Sequence, residues 1–175
     1  MTEKILWAPF RDSVPYKEPT RSTENAAAFD VYLPGKVILT PGTAQRINLN
    51  LCACMPENYR ANFIGRSGIS LAYSMVVLGG LVDADYQEEW GFCCVLVPNL
   101  NLLNTEMLAI DKANDRYESN YDTSGYAFKA GERIAQVVFT EIPDVSAKTT
   151  SRDNVLNLHA IRGSSRTGGF GSTGK

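Results

Sequence analysis

Apolar and polar positions along this chain alternate in short runs rather than in long helical stripes. From Gln45 to Cys54, Ile47, Leu49 and Leu51 share one face, and Arg46, Asn48 and Asn50 share the other. That two-residue period is the mark of a half-buried strand. Val37 to Leu39, Phe92 to Val97 and Ile134 to Phe139 are short and wholly apolar, which predicts fully buried strands. Turn signals punctuate these runs at Pro34-Gly35, Pro41-Gly42, Pro56-Glu57-Asn58, Gly79-Gly80 and Ala130-Gly131. Many short strands with regular turns predict an all-β antiparallel sandwich or barrel. One helix is predicted over 69–77, where Ile69, Ala72, Tyr73 and Val76 recur at helical spacing after Ser67 as N-cap.

Two segments break the alternation. Residues 101–125 are polar and irregular and predict an excursion inserted into the sheet framework. Residues 146–175 are rich in Ser, Thr, Gly and Arg and predict a frayed tail. Within that tail Phe170 stands alone among glycines, a placement suited to an arm that closes on a flat ligand. The predicted organisation is a β domain over 1–147 and an arm over 148–175.

Composition narrows the class. At 175 residues, 44% hydrophobic and 21% charged, the chain can bury one core and is not compositionally disordered. The net charge of −2 argues against an electrostatic nucleic-acid binder. No apolar run approaches the length of a membrane span, and MTEKILWAPF does not read as a signal peptide. An intracellular protein is therefore expected. Cys52, Cys54, Cys93 and Cys94 sit in apolar runs without zinc-knuckle spacing, and read as reduced, packed thiols. A single histidine, His159, excludes a three-histidine zinc site.

Five segments carry candidate chemistry. Gly65-Arg66-Ser67-Gly68 combines a guanidinium, a hydroxyl and two glycines, a turn that can approach an anion closely. In Gly79-Gly80-Leu81-Val82-Asp83-Ala84-Asp85-Tyr86, a strand continuing past Val82 would put Asp83 and Asp85 on one face, a pair suited to general-base work. The alternative is a tight hairpin with aspartates at turn positions. Gln136 is a polar residue inside an apolar strand and must find a partner or face a ligand. Asp30 is a lone carboxylate after small residues. The tail supplies Arg166, Phe170, Gly171, Ser172 and Thr173, a glycine-rich stretch with donors for phosphate and a ring for stacking.

In order, AAAFDVYLP, GRSGIS, GLVDADYQEEWG, GERIAQVVF and RTGGFGSTGK resemble the five motifs of the trimeric dUTPase family. The resemblance runs from about Ala26 to Lys175, apart from 101–125. It implies a distorted jelly-roll (β-clip) fold and a homotrimer whose mobile C-terminal arms close neighbouring sites. It implies hydrolysis of dUTP to dUMP and pyrophosphate with Mg²⁺, which keeps uracil out of DNA and supplies dUMP for thymidylate synthesis. On that resemblance Asp83 activates the attacking water. The backbone of Gly80, Leu81 and Val82 reads uracil, Tyr86 packs under the deoxyribose and Phe170 stacks on the base. Arg66, Ser67, Gly68 and Gln136 contact phosphate, as do Arg166, Gly171, Ser172 and Thr173 of the arm, and Asp30 holds Mg²⁺ through water. Some details depart from the pattern. Arg166 stands four residues before Phe170, Ala28 replaces a glycine, and Glu88 replaces a small residue. The insertion at 101–125 is a candidate surface for a protein partner. The nearest rival enzyme is a dCTP deaminase of the same fold; alternatives in other classes are a nucleotide-gated regulatory protein and a purely structural jelly-roll.

Overall fold

The computed structural model describes residues 4–98, 120–122 and 125–163. Among the described residues the strands are β1 (Leu6–Pro9), β2 (Phe29–Tyr32), β3 (Val37–Leu39), β4 (Gln45–Cys54), β5 (Tyr59–Gly65), β6 (Met75–Gly79), β7 (Leu81–Val82), β8 (Trp90–Leu96), β9 (Asn120–Asp122), β10 (Gly125–Phe128) and β11 (Arg133–Glu141). The helices are α1 (Ser67–Tyr73) and α2 (Arg152–Ile161). The strands form sheets ordered β1-β4-β8-β6, β3-β10-β9 and β2-β11-β5-β7. All their pairings are antiparallel. The all-β expectation holds.

The chain divides into two compact units, Met1–Ile142 and Pro143–Lys175. The first holds every strand among the described residues. Its core joins the three sheets through Trp90, Phe92, Phe63, Phe128, Leu39 and Ile47, all buried. Trp7 of β1 packs edge-on against Phe29, Trp90 and Phe139 at ring separations of 5.9, 5.8 and 5.6 Å. Edge-to-face aromatic contact adds to the area these rings bury, and here it links the first strand to the core beneath β8 and β11.

Three predicted strands are less buried than their apolar runs suggest. In β8, Trp90, Phe92, Cys94 and Leu96 point inward while Gly91, Cys93 and Val95 do not. β11 buries Ile134, Ala135 and Val137 but leaves Gln136 partly exposed. β3 buries only Leu39. An apolar residue on the outer face of a sheet is ordinary, so hydrophobicity alone does not report both faces.

The helix predicted over 69–77 is shorter and starts earlier. Ile69 and Tyr73 are its buried pair, one turn apart. Ser74 ends it in the left-handed region at φ 51, and Val76 and Val77 belong to β6. Arg66 rather than Ser67 holds the N-cap position, with no side-chain cap bond. Nor is β4 a plain alternating strand. Asn50, placed on the polar face by its sequence, is fully buried at φ 49. The register with β8 shifts between Asn48 and Leu51, so Asn50 sits in a bulge that turns its side chain inward.

In the second unit, α2 replaces part of the expected frayed tail. Ser151 Oγ accepts the Asn154 N–H at 3.2 Å, Asp153 stands in the first turn, and Gly163 follows the helix at φ 70. Cap, first-turn acid and terminal glycine together specify a short helix.

Gly91 lies opposite Asn48, and a Cβ there would come within 2.3 Å of the Ile47 carbonyl oxygen. A Cβ at Gly35 would meet nothing. Gly91→Ala is expected to destabilise by about 1–3 kcal/mol, and Gly35→Ala by less than about 0.5 kcal/mol. Urea unfolding of both variants checks the contrast.

Candidate active site

The candidate residues within the described chain fall into two groups. The first is built around Asp30 of β2, a residue withdrawn from water at 2% exposure. Its Oδ1 accepts from Arg66 Nε and Gln136 Nε2, each at 3.1 Å. Its Oδ2 accepts from an Arg133 terminal nitrogen at 3.1 Å and from Ser22 Oγ at 3.4 Å. Strand pairing creates this convergence. Gln136 of β11 stands directly opposite Asp30, and Ala135 stands opposite Gly65, the residue before Arg66. A register shift between Arg133 and Ala135 turns Arg133 toward the same carboxylate. Arg66 also donates to the Arg133 carbonyl at 3.0 Å. Ser67 and Gly68 open α1 immediately beyond Arg66.

Gln136, the polar residue in an apolar run, thus has its partner in Asp30. Arg133 is a member of this cluster that sequence reasoning passed over. Its only signal was a charge after the Ala130-Gly131 turn, where a solvated arginine is common.

The second group lines a cleft of about 400 Å³ that gathers Gly80, Leu81, Val82, Asp83 and Tyr86. Gly80 is needed for close approach. A Cβ there would lie 2.7 Å from Phe63 Cβ, and the Gly80 carbonyl accepts the Phe63 N–H at 2.9 Å. The strand does not run on through the aspartates. β7 ends at Val82, and the Tyr86 N–H donates back to the Asp83 carbonyl at 3.2 Å. The hairpin-and-turn alternative is the observed one, so period-two alternation does not set how Asp83 and Asp85 relate. Arg46, Glu89, Gly91, Phe92 and Cys93 complete the cleft wall. Sequence reasoning assigned none of these. Arg46 comes from β4, Gly91, Phe92 and Cys93 from β8, and Glu89 from the segment just before β8; Arg46 pairs with Cys93 and Cys93 with Gly79 across adjacent strands.

None of Asp30, Arg66, Arg133 and Gln136 lines this cleft. Arg166, Phe170, Gly171, Ser172 and Thr173 lie outside the described residues, as does most of 101–125. Arg162, also in the C-terminal unit, caps the end of α2.

The donor set was tested for a resident metal. Among the described residues no three His, Cys, Asp or Glu side chains converge as a metal site. The Asp30 oxygens already accept from four donors, about the capacity of a carboxylate. A directly held ion does not fit these residues, and the through-water contact expected of Asp30 would require one of its donors to give way. No helix among the described residues is long and apolar enough to cross a membrane.

Comparison with known proteins points in one direction. The dUTPase family model matches residues 15–101. A deoxyuridine 5'-triphosphate nucleotidohydrolase of Ehrlichia canis is 32% identical over 160 residues, covering 89% of this chain and 86% of that protein. One from Yaba monkey tumor virus is 28% identical over 157 residues, covering 89% and 87%. Among solved structures, a mutant dUTPase of Staphylococcus bacteriophage 80alpha with dUpNHpp superposes with a TM-score of 0.72 at 20% identity, over 99% of this chain and all of that one. A mutant dUTPase from phage phi11 of S. aureus, described with a structural Mg(II) ion, gives 0.65 at 20% identity over 85% of this chain and 97% of that one. The jelly-roll expectation agrees with these folds.

Two changes test carboxylates drawn out of water, Asp30 in its cluster and Glu132 beside Lys129. Asp30→Asn turns an amide donor toward arginines that need acceptors, and is expected to cost about 2 kcal/mol in urea unfolding. Burial raises the Glu132 carboxyl above its ordinary 4.5, against smaller lowering effects of a backbone bond from Lys129 and the Lys129 charge. A raised carboxyl favours the fold at low pH, and that contribution is lost as pH rises through the folded value. Glu132→Gln is therefore expected to raise the melting temperature at neutral pH and leave it unchanged well below pH 4.5.

Proposed function

This chain belongs to the dUTPase family, and we propose that it hydrolyses dUTP to dUMP and pyrophosphate. The observation that carries this reading is the gathering of Gly80, Leu81, Val82, Asp83 and Tyr86 around one cleft. Uracil offers carbonyl acceptors and one N–H donor, which suits the main chain of a hairpin. A fixed N–H facing the uracil O4 position would meet an amino group in cytosine, and an unpaired buried donor rejects strongly. Tyr86, partly exposed at the cleft, supplies a flat face for the deoxyribose. Asp83 lies outside the strand and open to solvent, where it can hold and deprotonate a water aimed at the α-phosphorus.

Arg66 and Gln136 are the phosphate contacts in this reading, with Ser67 and Gly68 beside them. Asp30 fixes both side chains from behind. The triphosphate enters as its magnesium complex, the ion neutralising phosphate charge as part of the substrate. Arg166, Ser172, Thr173, Gly171 and Phe170 serve as the closing arm.

The cleft and the Asp30 cluster share no residue, so we assign them to one site across a homotrimer, each site drawing on different chains. Hydrolysis of dUTP with and without Mg²⁺, beside dCTP, dTTP and UTP, tests the activity. Pyrophosphate release from dUTP alone is the expected result. Asp83→Asn is expected to keep the fold and lower kcat by about 10²–10⁴, the usual worth of a general base. Normal turnover would remove Asp83 from the mechanism.

The shared site has its own test. A chain ending before Arg166 and a full-length Asp83→Asn chain, each inactive alone, are refolded together in equal amounts. Random assembly gives about one quarter of sites with both working parts. Activity no greater than the sum of the separate chains, in mixed oligomers shown to be present, would remove the crossing arm.

A further inference from the structure

We propose that Glu89 is a positioning residue for the Asp83–Tyr86 turn, and that the N-terminal segment holds it in place through Arg11 and Asn50. This rests on the reading of Asp83 and Tyr86 as substrate-facing groups. The segment from Asp83 to Glu89 links β7 to β8 and contains no strand. At one end Val82 pairs with Ala61, and at the other Trp90 pairs with Leu51. What fixes the second end is a buried charge. Glu89 is 8% exposed and lines the cleft. One Arg11 terminal nitrogen bridges its two oxygens at 2.9 and 3.0 Å, and the Asn50 backbone N–H donates to Oε1 at 2.9 Å.

Asn50 in turn gathers the N-terminal segment. Its Oδ1 accepts the Arg11 N–H at 2.8 Å. Its Nδ2 donates to the carbonyls of Arg11 at 3.1 Å, Val14 at 2.9 Å and Pro15 at 3.4 Å. Its own carbonyl accepts the Phe10 N–H at 3.2 Å. The left-handed backbone of Asn50 points its side chain at this segment, a geometry asparagine tolerates better than most residues.

The Arg11 side chain is 52% exposed, and an ion pair open to water on one side contributes little stability. What the pair supplies is direction. A carboxylate held by two donor groups through three contacts has one orientation, and the backbone of Glu89 must follow it. Six residues upstream is Asp83, whose reach to a water depends on where the turn is tied down. Small misplacement of a reacting group is expensive in rate.

The test uses the full-length chain and the variants Arg11→Ala, Arg11→Lys and Glu89→Gln. Arg11→Ala is expected to lower kcat for dUTP roughly tenfold, while KM moves by less than about twofold. Guanidinium ion at millimolar concentration should restore much of that loss, because it can refill the space beside Glu89. Arg11→Lys keeps the charge and should lose less. Amide hydrogen exchange should quicken across 83–89 in Arg11→Ala and Glu89→Gln, with β11 unchanged. Exchange does not depend on the substrate. If the unaltered chain hydrolyses no dUTP, the functional reading fails, and quickened exchange confined to 83–89 still supports the clamp. A kcat within twofold of the parent in Arg11→Lys and Glu89→Gln, or unaltered exchange at 83–89, overturns the proposal. So does a loss that guanidinium does not relieve and that comes with faster exchange throughout the chain, which would make the pair merely structural. Should Arg11→Ala fail to fold, the Arg11→Lys and Glu89→Gln results decide the matter alone.

Discussion

A carboxylate withdrawn from water must be matched by donors that arrive from elsewhere in the chain, and Asp30 imposes that condition on the β2-β11-β5 sheet. It is 2% exposed, and Arg66, Arg133 and Gln136 converge on it. Arg66 follows β5 while Arg133 and Gln136 both belong to β11, and each contact depends on register. A one-residue slip of β11 would turn Gln136 to the other face and bring Arg133 out of reach. The cost of an unmatched buried carboxylate penalises every such slip. Pairing in this sheet is thus specified by charge as well as by the apolar side chains beneath it.

The same reasoning separates what the sequence disclosed from what it withheld. Strand existence was legible because turn residues bound short apolar runs, and β4, β8 and β11 appear where expected. Burial within them was not. The apolar run of β8 hid an alternation in which Gly91 and Cys93 face outward into the cleft. Asn50 was assigned to the wrong face because period-two reasoning has no means of seeing a bulge. Its residue type was the available clue, since asparagine adopts positive φ more readily than its neighbours would. The helix α2 was missed because its apolar residues are all exposed and its neighbours read as tail. The signal lay in Ser151, Asp153 and Gly163 rather than in periodicity.

Site residues were legible in proportion to how local their chemistry is. The hairpin through Gly80 to Tyr86 is contiguous, so its members could be named together, and one cleft gathers them. The partners of that cleft are remote in sequence. Arg46 and Glu89 are 43 residues apart, and they meet where an Arg46 terminal nitrogen reaches the Glu89 carbonyl at 3.4 Å. Arg133 is 103 residues from Asp30. Contacts of this kind follow from strand order, and strand order is not written in any window of the sequence.

Charge balance in the cleft carries the argument one step further. Among the described residues that line it, Asp83 and Glu89 are acidic and Arg46 is the single cation. Glu89 is engaged by Arg11, so among the described residues Asp83 is the lining carboxylate without an ion pair. A polyanionic nucleotide would be repelled by such a wall taken alone. The arginines able to offset it, Arg66 and Arg133, stand around Asp30 and do not line the cleft. A general base must remain anionic while a triphosphate approaches, and both demands cannot be met by one such cleft in isolation. On the proposed reading, positive charge is brought to it as magnesium on the substrate and as guanidinium groups from other chains. On this view the acidic cleft is a reason for the proposed division of the site among chains. On that proposal the phosphate-binding cations come from other chains, and the substrate bridges them to Asp83.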